Sequence, residues 1–330
     1  MKFGRISKRN GSGIMVNDGD RWMKAGVDPA DLSGNLAVNR LNNPVVQMFP
    51  SSSFSLSKNT SFFMIGSCFA RGLEIILNKK GFKVFSLSDE FSQWKAINSD
   101  VKPIGATNRY NTGSILNDFR WALDPENPFP EEAYVVYKSD QFIDLHMSAQ
   151  LPPTSLDDLK TRRAIWDNVT ANLKDVDVIT LTLGLVEVWK DNELGIFCNT
   201  TPDGYAQRSN PGRFSFETLD FRQNLENLEE IHRLTSKFGK PGQKIIVTVS
   251  PVPLARTYTS KDIILANTYS KSVLRAVTEE FVDAHENVDY FPSYEIALNS
   301  QRDLVWSEDK RHVQGPFAHK IMDQFLSAYF

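Results

Sequence analysis

Two cysteines in 330 residues, Cys68 and Cys198, are too few for a disulfide framework, and no close C-x-x-C pair is present to run dithiol redox chemistry. Long apolar runs are missing too. None reaches the roughly 20 residues needed to span a bilayer, and the basic first segment has no apolar stretch before Ala25 that would read as a signal peptide. There is also no excess of either charge. A formal net charge of −3 gives no general electrostatic reason to bind nucleic acid or an anionic membrane. The stretch Asn17-Asp18-Gly19-Asp20 is too short to space the oxygen ligands of a calcium loop and reads as a polar turn, so neither metal nor cofactor is expected. Free thiols, a cytoplasmic setting and a small or uncharged partner are the expectation. Oligomeric state is not legible.

What is present is enough apolar material, 41% of the residues, for a substantial core. Residues 1–45, rich in Gly, Asn, Asp and Lys, read as a surface arm. Residues 46–330 read as one elaborated α/β domain with an insertion at about 88–153. The domain is organised around residues 64–71, Met-Ile-Gly-Ser-Cys-Phe-Ala-Arg. An apolar run over 62–65 meets Gly66, and a helical pattern carrying Leu73, Ile76 and Leu77 follows, closed by Lys79, Lys80 and Gly81. Strand, tight turn and helix are expected in that order, with a second short strand over 82–85. In an open parallel sheet such a turn lies at the carboxyl edge, where ligands bind and helix N–H groups are unpaired. Ser67 and Cys68 thus stand where a nucleophile is useful. The alternative is a helix cap at Ser67 and a small buried residue at Cys68.

From 88 to 153 the pattern is irregular. Trp94, Tyr110, Trp121, Phe129, Tyr134 and Tyr137 are interleaved with Pro, Asn and Gly, and are expected to pack as core. Asn111-Thr112-Gly113-Ser114 offers a glycine N–H beside small polar groups, and alternation over 142–146 predicts an edge strand with His146 at the surface. Regular alternation then resumes. A helix capped by Thr154 or Ser155 leads to an aliphatic strand over 176–183 that ends at Gly184 and Glu187. A helix over about 219–238, with Phe221, Leu225, Leu228 and Leu234 inward, precedes a strand over 244–250 stopped by Pro251 and Pro253. A helix through Ile264, Tyr269, Val273 and Phe281 precedes a strand over 288–291. Glu187, Ser250, Arg256 and Thr257 should therefore gather at the same edge as Cys68. The predicted architecture is a three-layer α/β/α sandwich on a mainly parallel sheet.

Near the end of the sequence, Asp309 precedes His312 by three residues, ahead of Pro316 and a helix over 317–330. An imidazole is the usual base for activating a serine or cysteine, and an acidic neighbour fixes its tautomer. Lys310 and Arg311 between them equally suit an exposed charged loop.

Gly66-Ser67-Cys68-Phe69-Ala70 spells G-S-C-F-A, and four further blocks follow in order: 182–189, 248–254, 270–276 and 290–295. Through them the chain resembles the GSCFA family over roughly residues 55–325. That family looks like a branch of the SGNH/GDSL hydrolases, and the resemblance implies a flavodoxin-like sheet with ester hydrolysis or O-acyl transfer on a glycan or small-molecule ester. Setting Gly66 on the first-block glycine of those enzymes puts Cys68 on the nucleophile and Ser67 on the aspartate position. Asp309 and His312 match the final D-x-x-H, and Gly113 resembles the second-block glycine that donates an oxyanion N–H. The third block departs. Its Gly-x-Asn-Asp appears as Gly184-Leu185-Val186-Glu187, so the asparagine donor is absent, a loss that typically costs about 10²–10³ in rate.

The expected site is Cys68 or Ser67 with His312 and Asp309, and Gly113, Gly184, Glu187 and Ser250 holding substrate. A thiol at a helix N-terminus facing His312 is expected to be acidified, which favours Cys68, with Ser67 hydrogen-bonded within the turn. A non-catalytic module that keeps the pocket to bind a glycan or acyl group is the other reading. A redox protein built on Cys68 and Cys198 is the third.

Overall fold

The computed structural model describes residues 21–28, 30–93, 105, 107–148 and 151–330. Asn17-Asp18-Gly19-Asp20 and Trp94 lie outside them. Along the chain the elements run α1 (Ala37–Leu41), β1 (Ser61–Gly66), α2 (Cys68–Lys79), β2 (Lys83–Val84), α3 (Thr112–Leu123), β3 (Tyr134–Lys138), β4 (Gln141–Asp144) and α4 (Leu156–Thr170). They continue through β5 (Val178–Leu183), β6 (Glu187–Asp191), β7 (Ile196–Phe197), α5 (Gly204–Ser209), β8 (Phe214–Thr218) and α6 (Phe221–Phe238). The last are β9 (Lys244–Val249), α7 (Ile263–Ala284), β10 (Val288–Tyr290), α8 (Ser293–Asn299), α9 (Arg302–Val305) and α10 (Gly315–Tyr329).

Five of the strands make one parallel sheet in the order β2-β1-β5-β9-β10. Numbered by their own succession this is 2-1-3-4-5, the flavodoxin-like arrangement. The strand residues alternate between two apolar layers as the pleat requires. Phe62, Met64, Val178 and Ile246 face a layer that includes Leu73, Ile76, Phe317, Ile321 and Phe325 of α2 and α10. Phe63, Ile65, Ile179, Leu181, Ile245 and Val247 face the other, with Ile115 and Phe119 of α3, Trp166 of α4, Leu228 and Ile231 of α6, and Leu274 and Phe281 of α7. The three-layer sandwich follows from strands apolar on both faces. A three-stranded antiparallel sheet, β7-β6-β8, and the hairpin β3-β4 are added at one side.

Residues 46–56 strap the far end of the chain to the sheet. The Val46 N–H donates to Ser300 Oγ, Met48 N–H to Gln324 Oε1, and Leu56 N–H to the Tyr329 carbonyl.

Several local expectations need correction. The arm contains a short helix, α1. Residues 88–153 are not only an insertion, because α3 enters the main core. His146 is buried, its ring 5.0 Å from that of Trp121, because Asp144 beside it pairs with the buried Arg163 and draws the segment inward. On α6 the buried face carries Asn224 and Asn227, both bonded to Thr112 Oγ1, while Phe221 is exposed. On α7 the buried stripe is Ser270, Lys271, Leu274, Val277, Thr278 and Phe281, and Ile264 and Tyr269 are exposed. In both helices polar side chains with partners waiting across the interface set the phase that an apolar-only reading misses.

Candidate functional site

The chain enters the sheet at β1, steps to β2 on one side and returns to β5 on the other. The crevice between the carboxyl ends of β1 and β5 is therefore the topological switch point, the place where ligands bind in open α/β sheets. Gly66 sits there at φ 145°, and a Cβ on it would lie 2.2 Å from the Thr182 carbonyl oxygen of β5. The Ser67 N–H donates to that same carbonyl at 3.2 Å. Ser67 is the N-cap of α2. Its Oγ accepts from the Phe69 N–H and donates to Ser250 Oγ at 2.9 Å. Ser67 is 3% exposed and its hydroxyl is spoken for, whereas Cys68, the first residue of α2, is partly exposed to the cleft.

The segment 108–111 crosses over this crevice. Arg109 N–H donates to the Gly66 carbonyl, and the Tyr110 carbonyl accepts from both Gly184 and Leu185 N–H groups. A Cβ on Gly184 would lie 2.7 Å from the Tyr110 oxygen, so glycine is required for this close approach. Below, α7 fastens the same turn at two points: Ser270 Oγ accepts from Val186 N–H at 3.1 Å, and Lys271 Nζ donates to the Gly184 carbonyl at 2.5 Å. Glu187, at the start of β6, binds the loop that follows β9, accepting from Thr257 Oγ1 at 2.7 Å and from the Tyr258 N–H at 2.9 Å.

The loop 307–312 is closed by a bridge between Trp306 and Val313 and turned by Lys310 at φ 52°. A left-handed non-glycine residue costs of order 1 kcal/mol or more and is characteristic of functional turns. The Asp309 carboxylate accepts from the backbone N–H groups of Arg311 and His312 and lies 2.5 Å from His312 Nδ1. These bonds hold it well below the usual carboxylate range. Arg311 reaches back to the Pro253 carbonyl through Nε and places Nη1 3.1 Å from His312 Nε2. A guanidinium only donates, so Nε2 must carry a lone pair and Nδ1 the proton. The imidazole is thereby oriented with Nδ1 toward the carboxylate and Nε2 outward.

One cleft of about 900 Å³ opens here, lined by Arg311 and His312 but not by Asp309 itself. Ser67, Cys68, Gly184, Glu187 and His312 all border it. Ser250 and Gly113 do not. Ser250 is fully buried and supports the turn through Ser67 and the Val252 N–H. Gly113 is small because Phe197 packs on it, its ring carbon 2.5 Å from where a Cβ would be. The cleft position expected for it falls to Asn108, Tyr110 and Asn111. Asn108 is 2% exposed and its Oδ1 has no partner among the described residues. Val186, where the asparagine donor is missing, is wholly buried. The remaining wall carries Trp189, Tyr258, Thr200, Asp203 and Gln207.

The expected acidification of Cys68 is overturned. Burial pushes the thiol up, and outweighs the lowering by Arg311, by the Cys68 and Phe69 N–H groups and by Lys271. The sulfur holds its proton at neutral pH and needs a base to react. Cys198 packs in a separate small core and both cysteines are free. Sequence reasoning passed over Arg311, read as part of a charged loop, and Lys271, whose signal was a lysine in phase with Leu274 and Phe281.

Among the described residues no group of three His, Cys, Asp or Glu is arranged to hold a metal, and no helix is long and apolar enough to cross a membrane. No curated protein matches the chain. The model described as the GSCFA family matches residues 61–325, which takes in every element from β1 to α9, most of α10 and every residue lining the cleft. The chain belongs to the GSCFA family.

Proposed function

We propose that the protein is an acyl-transfer enzyme, an esterase or O-acyltransferase of SGNH-like type, with Cys68 as nucleophile, His312 as general base and Asp309 as its orienter. The observation that carries this reading is that a partly open thiol at the first turn of α2 and an imidazole held by a carboxylate, drawn from distant parts of the chain, border the same cleft. A protein that only bound its ligand would need neither.

In the proposed reaction Cys68 Sγ attacks the ester carbonyl carbon while its proton passes to His312 Nε2. For this, Arg311 must first leave that nitrogen. The tetrahedral intermediate expels the alcohol, which takes the proton from His312, and a thioester remains on Cys68. Water or a second hydroxyl then attacks the thioester with His312 again removing the proton, which gives hydrolysis or transfer. The developing oxyanion would be met by the N–H groups of α2 and the Arg311 guanidinium, positive groups that act on the sulfur and stand in for the absent asparagine. The aromatic and hydroxyl-rich wall of Trp189, Tyr258, Thr200 and Gln207 suits a glycan or other polyhydroxylated small molecule as the carrier of the ester.

The test is turnover of aryl acetates with and without sugar acceptors. Cys68→Ala and His312→Ala should abolish nearly all of it, Ser67→Ala should leave most, and Asp309→Asn should keep the fold and lose much of the rate through the wrong tautomer. Full turnover in folded His312→Ala or Cys68→Ala would overturn the assignment. The position of Arg311 on His312 Nε2 favours one other reading, a glycan- or acyl-binding module; saturable sugar binding without any turnover would establish it.

A further inference from the structure

Two guanidiniums border the cleft, Arg256 on the loop after β9 and Arg311 beside His312, and neither makes an ion pair among the described residues. The carboxylates nearby are already engaged. Glu187 accepts from Thr257 and Tyr258, and Asp203 accepts from the Tyr205 and Ala206 N–H groups and from the Tyr137 hydroxyl. Asp309 holds the backbone of its own loop and His312 Nδ1. Arg311 is tethered through Nε to the carbonyl of Pro253, on the same loop as Arg256, so both cations belong to one rim. Its Nη2 makes no hydrogen bond among the described residues, and Nη1 has only the lone pair of His312 Nε2, at 3.1 Å. A planar fork that is always charged and has no anion to match it is a receptor for one.

We propose that the ester taken by this cleft carries an anionic oxygen group, a carboxylate or a phosphate, and that this anion draws Arg311 off His312 Nε2 and so uncovers the base. Hydrogen bonds to an ionised acceptor are roughly twice as strong as those to an uncharged one, so such a group outcompetes a ring nitrogen for the guanidinium. With Nε still on Pro253, only the outer end of the side chain has to turn. Nη2 meets the anion, and Nη1 leaves the imidazole for the developing oxyanion. An ester without the anion finds Nε2 covered. The net charge of −3 gives the chain no general attraction for anions, so the selection comes from these arginines.

The inference rests on the proposed role of His312 as base, and its first arm needs no turnover. The whole protein, carrying isotope-labelled histidine nitrogens, is titrated with para-acetamidobenzoate, para-acetamidophenyl phosphate and the uncharged para-acetamidobenzamide, amides that stand in for aryl acetates. The Nε2 resonance of His312 is identified by its loss in His312→Ala. At least one of the anions should shift that resonance saturably, the carboxamide should not, and Arg311→Gln should remove the response. Which anion acts decides between a carboxylated and a phosphorylated substrate. The second arm follows acetate release from para-acetoxybenzoate, para-acetoxyphenyl phosphate and methyl para-acetoxybenzoate, with each kcat/KM divided by the hydroxide-catalysed rate of the same ester. The ester whose anion shifts His312 should be preferred about tenfold over the uncharged one, and the ratio should fall to near one in Arg311→Gln. Lys310→Gln removes a neighbouring charge that faces Asp303 at 3.7 Å outside the cleft, and should keep the preference. A resonance that neither anion moves, a response that persists in Arg311→Gln, equal use of charged and uncharged esters by the wild type, or a preference lost equally in Lys310→Gln would each overturn the proposal. The first and third of these need no variant to fold. An Arg311-dependent shift in a protein that turns over no ester would overturn the acyl-transfer reading and leave the anion recognition standing.

Discussion

Two glycines in consecutive elements should respond to the same substitution with opposite signs. Gly66 has φ 145°, in a region that side chains rarely enter, and an added methyl would lie 2.2 Å from the Thr182 carbonyl oxygen, where ordinary contact begins at 3.4 Å. The obstacle is backbone of a central strand and cannot swing aside. Backbone strain of about 1–3 kcal/mol and overpacking of about 1–3 kcal/mol together predict a loss of about 2–6 kcal/mol for Gly66→Ala, against a total stability of order 5–15 kcal/mol. Gly72 lies in the interior of α2 with nothing within 4 Å of its would-be Cβ. There the methyl only reduces the entropy lost on folding, and Gly72→Ala should stabilise by about 0.5–1 kcal/mol. Urea denaturation followed by far-ultraviolet circular dichroism measures both. Gly66→Ala should also depress aryl-acetate turnover beyond its effect on folded fraction, since a displacement of about 1 Å at a reacting group can cost on the order of 10²-fold. A Gly66→Ala protein as stable as wild type, or a shared sign for the two variants, would refute the argument from backbone approach.

His146 is buried and brought down to about 4 by desolvation, against 6.5 for the free side chain, so the folded state binds fewer protons than the unfolded in that interval. Its contribution is therefore full above pH 6.5 and is lost as pH falls through about 4, up to about 3 kcal/mol. His146→Phe, which keeps a ring beside Trp121 and Phe129, should flatten that part of the acid slope; denaturation curves at pH 4.5 and 7.5 that keep the wild-type difference would contradict it. Glu187→Ala releases the loop it fastens at Thr257 and Tyr258, and limited trypsin digestion should cut faster after Arg256 and Lys261. Unchanged cleavage would mean the bonds to Glu187 are not what holds the loop.

The parallel sheet and the location of the cleft were legible because they depend on patterns within single segments, whereas the flavodoxin-like strand order was implied only by the family resemblance. An unbroken aliphatic run such as 178–183 has to be covered on both faces, and the Gly-Ser-Cys turn had to fall at a carboxyl edge. The pairing of Asp309 with His312 was local for the same reason. What escaped was whatever required a partner far away in sequence. Lys271 is satisfied by a carbonyl 87 residues earlier, and Asn224 by a hydroxyl 112 residues earlier, so nothing within their own segments marks either as buried. Cys68 failed in the other direction. The rule that a helix N-terminus acidifies a thiol is local and holds here, yet burial set by the whole chain outweighs it. Gly113 looked like a donor of its N–H, and its smallness serves Phe197 instead.

The packing of α10 on α2 has a consequence for how the molecule comes into being. During synthesis the thiol of Cys68 leaves the ribosome long before the loop of His312 does, a delay of at least about ten seconds at 5–20 residues per second. Throughout that interval Phe69, Leu73, Ile76 and Leu77 of α2 await Phe317, Ile321 and Phe325, the side chains that will cover them. The same late segment thus delivers the proposed base and the roof over the helix that carries the sulfur. A nascent chain has no means of assembling one without the other, so reactivity and stability should arrive in a single late step.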